Sequence, residues 1–346
     1  MKKIVASILS IAITVLVAST IAAVAAEKKP KTIYLGSAYS GGFGKPYSGG
    51  VIGIVHARAL LEEEFKKDGI KIEWFFFKGA GPATNEALAN KTIDFAYIGD
   101  LPAIVGKANG LKTKFIAPGS KWTHVYISVP NDSKITTIKE LKGKKVAIAK
   151  GTNAQLTFAR ILEANGLTEK DLKLYNLGLA DGGSALKTKD IDAAVYWTDQ
   201  LNLRTLGVSK IIYSTKEAPV DWRNTGGFYV TEAFAKQYPE ITKRVVKAYV
   251  KAARWGSEEK NKEELFQIGV KAGTPLAAIR EEFAGRSAKD INSISFDDAY
   301  VKHYVEGAVF AKERGLIRKT FDVHAWIDRS YLDEALRDLK LEGYWK

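Results

Sequence analysis

The chain has 346 residues, 46% of them hydrophobic and 26% charged, with a formal net charge of +13, or +11 without Lys2 and Lys3. That length and balance fit two domains of an ordinary globular protein, and the absence of cysteine excludes disulfides, thiol nucleophiles and thiolate metal sites. The four histidines, His56, His124, His303 and His324, form no short-range ligand pair, so no metal site and no cofactor is expected. The lysines are spread along the chain without a dense run, which reads as a solvated surface that draws anionic ligands in, and not as a nucleic-acid face.

The first element is a targeting segment. Lys2 and Lys3 precede a mostly apolar stretch from Ile4 to Val24, and Ala23-Val24-Ala25 has the small-x-small cleavage pattern, so residues 1–25 are expected to be an export signal cut near Ala25. Nothing later in the sequence is apolar enough to span a bilayer. Lys31 to Gly36 reads as a strand, and the loop Ser37 to Gly50 that follows carries five glycines. This loop is neither a Walker A sequence nor a GxGxxG turn. A helix is expected over Val51–Lys67, a strand over Ile70–Phe77, a short helix over Thr84–Asn90 and a strand over Ile93–Ile98. Gly99-Asp100-Leu101-Pro102 turns into a helix over Ala103–Asn109, and strands follow at Lys114–Ala117 and His124–Val129.

A second lobe starts near Pro130. In it, Val146–Ala149 is a short buried strand, Gly151-Thr152-Asn153 breaks the apolar pattern, and Ala154, Phe158, Ile161 and Leu162 fall on one helix face. Thr152 or Asn153 suits the N-cap and Gly166 the stop. Such a unit gathers free N–H groups and a positive dipole end at one point, which suits an anion, although a capped αβ unit with no ligand has the same sequence pattern. Strands at 173–176, 193–197 and 210–213 alternate with further helices, and alternation of this kind implies an α/β architecture. Residues 87–96, ALANKTIDFA, are echoed at an offset of 98 by residues 185–194, ALKTKDIDAA, which suggests two related lobes. The lobes are expected to be linked by strands His124–Val129 and Phe228–Val230. From Thr231 onward the pattern is helical.

KITTIKELKGKKVAIAKGTNAQLTFARILEANGL, EALANKTIDFAYIGDLPA, IDAAVYWTD and GGFYVTEAFAKQYPEITKRVVKAY together resemble the periplasmic aliphatic-sulfonate, taurine and nitrate family of substrate-binding proteins of ABC importers. The resemblance runs from about Lys31 to Trp255 and, more loosely, over the C-terminal helices. It implies a type II periplasmic-binding-protein fold: two α/β lobes, here residues 31–129 with 227–346 and residues 130–226, joined by two crossing strands and closing on one small ligand, with a helical C-terminal part. It implies a periplasmic monomer that takes up a small anionic organic ligand, delivers it to an ABC permease in the inner membrane, binds no nucleic acid and performs no catalysis. A ligand-sensing module for a membrane receptor would share this fold and pocket.

Position by position, the family's binding loop falls at Gly36–Tyr39, its Gly-x-x-Pro turn at Gly99–Pro102, its Lys-Gly-Ser-Asn turn at Lys150–Asn153, and its Trp-Asp-Pro segment at Trp197-Thr198-Asp199, where this chain departs from the motif. The ligand-binding residues expected on this basis are Ser37, Tyr39, Gly99, Asp100, Trp122, Thr152, Asn153 and Trp197. Thr152 and Asn153 would donate to the anionic head, Trp197 would cover an apolar part, Trp122 would line the hinge, and Asp100 would meet an ammonium group if the ligand is zwitterionic. The glycine-rich stretch Gly41–Gly50 is longer than the resemblance leads one to expect, so the identity of the anion does not carry over.

Overall fold

A computed structural model of the chain describes residues 29–38, 48–119, 122–218 and 221–346. In chain order it contains β1 (Thr32–Ala38), α1 (Gly50–Ala57), α2 (Leu60–Phe65), β2 (Lys71–Phe77), α3 (Ala80–Ala89), β3 (Phe95–Gly99), α4 (Asp100–Ala108) and β4 (Thr113–Pro118). There follow β5 (Tyr126–Pro130), β6 (Lys145–Ile148), α5 (Asn153–Ala164), β7 (Lys173–Asn176), α6 (Leu179–Lys187), β8 (Ala193–Tyr196), α7 (Asp199–Thr205) and β9 (Ser209–Ser214). The last part holds β10 (Gly226–Thr231) and helices α8 (Glu232–Gln237), α9 (Pro239–Gly256), α10 (Lys262–Lys271), α11 (Leu276–Glu282), α12 (Ala288–Ile291), α13 (Asp298–Glu313), α14 (Val323–Trp326) and α15 (Ser330–Asp338).

The strands form two five-stranded sheets, β2-β1-β3-β10-β4 and β7-β6-β8-β5-β9. They are the same design twice. In each, the first three strands run parallel, the fourth is antiparallel to both neighbours, and its register shifts once, at Phe228/Tyr229 in one sheet and Ile127/Ser128 in the other. The sequence echo marks equivalent corners of this repeat. Helices α3 and α6 both end on a lysine in the left-handed region, Lys91 (φ 58°) and Lys189 (φ 63°). Each is followed by a buried isoleucine, Ile93 or Ile191. Then comes an aspartate that accepts from the backbone N–H of the adjacent parallel strand: Asp94 from Tyr34 at 3.0 Å, Asp192 from Lys145 at 2.8 Å.

Two expected boundaries move. Tyr126–Pro130 pairs with β8 and β9, so it is a strand of the second sheet, and Gly226–Thr231 pairs with β3 and β4 in the first. The chain crosses between the sheets in the segments just before these strands, where Thr123 and Asn224 form an antiparallel bridge. The expected helix over Val51–Lys67 is broken at Ala59, which has φ 49° and cannot continue a right-handed helix.

Ala154, Phe158, Ile161 and Leu162 are buried in the second core, as their spacing predicts; burying a residue such as Phe158 contributes roughly 1.5–3 kcal/mol. Helix α5 buries its other face too. Leu156 belongs to the core of the first sheet and packs towards Gly307 of α13. Helix α11 makes the reciprocal contact: Ala278 packs on Tyr126 and Leu201, and the carboxylate of Glu282, 1% exposed, accepts from the His124 backbone N–H at 2.8 Å and the Tyr126 hydroxyl at 2.5 Å. Desolvation pushes the Glu282 carboxyl up, with those two hydrogen bonds opposing it.

Candidate functional site

Parallel strands place their carboxyl ends, and the amino ends of the helices that follow, on the same side of a sheet. β3 leads into α4 at Gly99, and β6 leads into α5 at Thr152. Neither N-cap residue, Gly99 or Thr152, caps its helix with a side chain, but the first N–H groups of α4 are already used: Asp100 donates to the Thr225 carbonyl at 3.1 Å and Leu101 to Asp100 Oδ1. The two starts meet. A methyl group added at Gly99 would stand 2.9 Å from Asn153 Nδ2, and one added at Gly151, which already has φ 76°, would stand 2.8 Å from Pro82 Cγ. Glycine is required at both positions because backbone there approaches the opposite lobe.

Asn153 is the centre of this contact. Its Oδ1 accepts from the indole Nε1–H of Trp197 at 3.1 Å. Asn224, fully buried in the returning crossing segment, completes the cluster. With its amide oriented so that nitrogen donates and oxygen accepts, it donates to the Asn153 carbonyl at 3.2 Å and to Thr157 Oγ1 at 2.7 Å, and its oxygen lies 3.0 Å from Trp197 Nε1. Gly99, Asn153 and Trp197 are thus brought together from three separate stretches of chain. Asn224 joins them with no motif to announce it.

The other expected residues are arranged differently. Ser37 is fully buried with its Oγ 2.7 Å from Ser48 Oγ. Tyr39 lies outside the described residues, as does most of the glycine-rich stretch. Thr152 occupies the N-cap position, but its hydroxyl donates backwards to the Ala149 carbonyl at 2.7 Å. That proton is therefore unavailable to a head group, and the helix N–H groups are left without a hydroxyl acceptor.

Asp100 differs most from expectation. It is 1% exposed; Oδ1 accepts from the Leu101 N–H at 2.6 Å and Oδ2 lies 2.6 Å from His303 Nε2. Both oxygens are engaged inside the first lobe. Trp122, at φ 64°, lies with its ring 5.6 Å from that of His303 and lines a groove that contains none of the other expected residues.

Asp199 escaped the residue-by-residue reading because the Trp-Thr-Asp sequence shifts it one place. Its Oδ1 is sealed from solvent without a hydrogen-bond partner, and burial pushes its pKa up to about 6. Such a carboxyl is largely ionised at neutral pH at an appreciable cost.

The model of the NMT1/THI5-like family matches residues 58–261. The chain belongs to that family. A protein of Escherichia coli (strain K12) named as an aliphatic sulfonates-binding protein is 32% identical over 68% of this chain and 68% of its own length. One of the same name from Bacillus subtilis (strain 168) is 29% identical over 82% of this chain and 84% of its own. Among solved structures, the periplasmic sulfonate-binding protein SsuA of Methylobacillus flagellatus KT superposes with a TM-score of 0.76 at 34% identity, covering 91% of this chain and 97% of that one. The two-sheet α/β fold is the fold of these periplasmic binding proteins.

Proposed function

We propose that this protein is the exported binding component of an ABC importer and captures a small organosulfonate or similar oxyanion between its lobes without transforming it. The observation that carries the reading is the meeting of the starts of α4 and α5, one from each lobe, at Gly99 and Asn153. Both helices turn a positive dipole end to this point, and the first-turn N–H groups left for an anion are those of α5, because in α4 the Asp100 N–H donates to the Thr225 carbonyl, the Leu101 N–H donates to Asp100 Oδ1, and Pro102 has none. Relatives named for sulfonate binding support the choice of anion.

In this reading, Asn153 and the first-turn N–H groups of α5 hold the oxyanion, and Trp197, pinned by Asn153, covers the carbon next to it. Asp100 acts from behind, orienting the start of α4 through Leu101 and His303, and does not meet an ammonium group. An alkyl- or arylsulfonate therefore fits better than a zwitterion such as taurine. The protein acts as a periplasmic monomer after cleavage near Ala25. No described helix is long and apolar enough to cross a membrane; in this reading the ligand is delivered to an ABC permease in the inner membrane.

The test is calorimetry of the intact protein against alkanesulfonates, taurine, sulfate esters, nitrate and carboxylates, with the ligands recovered and analysed afterwards. Binding of a sulfonate, recovered unchanged, is the expected result. Silence across the whole panel, or a sulfonate that returns desulfonated, overturns it.

A further inference from the structure

The groove lined by Trp122 is separate from the Gly99–Asn153 contact and has a chemistry of its own. It lies between α5 of the second lobe and α13 of the first, is open to solvent with a volume of about 660 Å³, and is lined by Arg160, Trp122, Trp222, Val305, Val309 and Phe310 together with charged residues. A cavity of that size holds a drug-sized molecule. Most of the wall is apolar, and one side of it carries a guanidinium.

Arg160 is the unusual member. Its guanidinium sits 5.5 Å from the Phe310 ring centroid, and among the described residues it has no hydrogen bond and no ion pair. Burial lowers its pKa, and the charges of Asp100 and Glu306 offset this only in part. The carboxylates nearby have other partners: Asp100 has His303, Glu163 has Arg314, Asp221 has Arg223, and Glu306 has Lys302 at 3.6 Å. Arg160 is half-buried beside the Phe310 ring with no acceptor among the described residues for its donors, which leaves them free for an anion that enters the groove.

The geometry points to a second binding site in this groove, for an amphipathic organic monoanion whose oxyanion pairs with Arg160 and whose apolar body lies against Trp122, Trp222 and Phe310. The carboxylates that also line the groove, Glu163, Glu306, Glu313 and Asp221, outnumber its Arg and Lys cations, Arg160 and Lys302, which disfavours a ligand with a second negative charge. The aromatic walls favour an aryl or long-alkyl body over a bare inorganic ion. Trp122 holds the left-handed backbone conformation, rare for a bulky residue, with its carbonyl accepting from Arg286 Nη1 at 2.7 Å. That is the kind of strained placement found where a ring is held for a ligand. This site does not depend on the proposed sulfonate site at Asn153.

The experiment is calorimetric and tryptophan-fluorescence titration of the intact chain with 1-naphthalenesulfonate, and separately with inorganic sulfate. A binding event that quenches tryptophan, is not reproduced by sulfate, survives Asn153→Ala and weakens roughly tenfold or more in Arg160→Gln is expected. Val309→Glu adds an anion at the exposed lip of the groove without touching the core; it should weaken the same event and leave the Asn153-dependent one alone. It provides the decisive variant if Arg160→Gln does not fold. A single event abolished by Asn153→Ala, or a second event indifferent to both Arg160→Gln and Val309→Glu, overturns the proposal. Loss of the Asn153-dependent event alone counts against the sulfonate reading and leaves this one standing.

Discussion

At the scale of single residues, Asn153 does three things at once. It packs on Gly99 across the lobes, accepts from Trp197, and opens α5. In the proposed site, replacing it with alanine would remove a charge-assisted contact to the ligand, and it removes the Oδ1 that accepts from the Trp197 indole. Sulfonate affinity is expected to fall by about ten- to hundredfold, equivalent to roughly 1.5–3 kcal/mol, with the fold intact by circular dichroism. An affinity equal to the parent's would reduce Asn153 to a packing residue. Asp100 gives the opposite kind of prediction. Because its oxygens are already taken by Leu101 and His303, Asp100→Asn should cost stability, about 1–3 kcal/mol in a denaturant melt, while leaving the ratio of taurine to alkanesulfonate affinity unchanged. A selective loss of taurine would restore it as an amine partner.

At the scale of elements, the helix–strand corner at Asp94 carries a pH signature. Burial pushes the Asp94 carboxyl up to about 6, with the hydrogen bond from the Tyr34 N–H opposing that shift. A carboxyl whose folded pKa is raised makes a contribution that is fully present below its unfolded value, near 4, and is lost as pH rises through about 6. Asp94→Asn keeps an oxygen to accept from Tyr34 and removes the titration. The variant should therefore gain stability relative to the parent at pH 7 compared with pH 4, as read from paired denaturant melts at the two values. An identical difference at both would mean that the group is not desolvated as the fold indicates. The αL lysines at 91 and 189 explain why the echo was legible: helix stop, isoleucine and aspartate all lie within six residues, and the turn needs nothing from elsewhere in the chain.

At the scale of the molecule, the lobes touch through Gly99 and Asn153, Pro82 and Gly151, and Leu156 and Gly307, and through the Arg314–Glu163 ion pair. A ligand shifts such a pair of lobes towards closure only through contacts that the open form lacks. Small-angle scattering should show compaction when sulfonate is added to the parent and less compaction for Asn153→Ala at the same ligand concentration. Equal compaction would place the closing contacts elsewhere. Export is testable on the same protein: the mass of the periplasmic form should correspond to a chain beginning at Ala26, and a full-length chain retained in the membrane would refute cleavage.

What the sequence by itself determined is what local physics governs. Alternating strands and helices, the buried face of Ala154, Phe158, Ile161 and Leu162, the glycine starts of α4 and the turn before α5, and the paired corners at Asp94 and Asp192 all depend on residues a few places apart. Composition and motif resemblance carried the fold class and the kind of protein. What only the tertiary structure decided is how side chains separated by tens to hundreds of positions share one space. Asp100 looked free beside a helix start until His303, 203 residues later, came within 2.6 Å of it. Asn224 entered the Asn153–Trp197 cluster because two crossing segments pair at Thr123. The outer face of α5, polar in pattern at Arg160 and Glu163, became the wall of a groove because α13 of the other lobe lies against it. The reason is general: hydrogen-bond satisfaction and desolvation depend on everything within a few ångströms, and periodicity along the chain reports only which way a side chain faces.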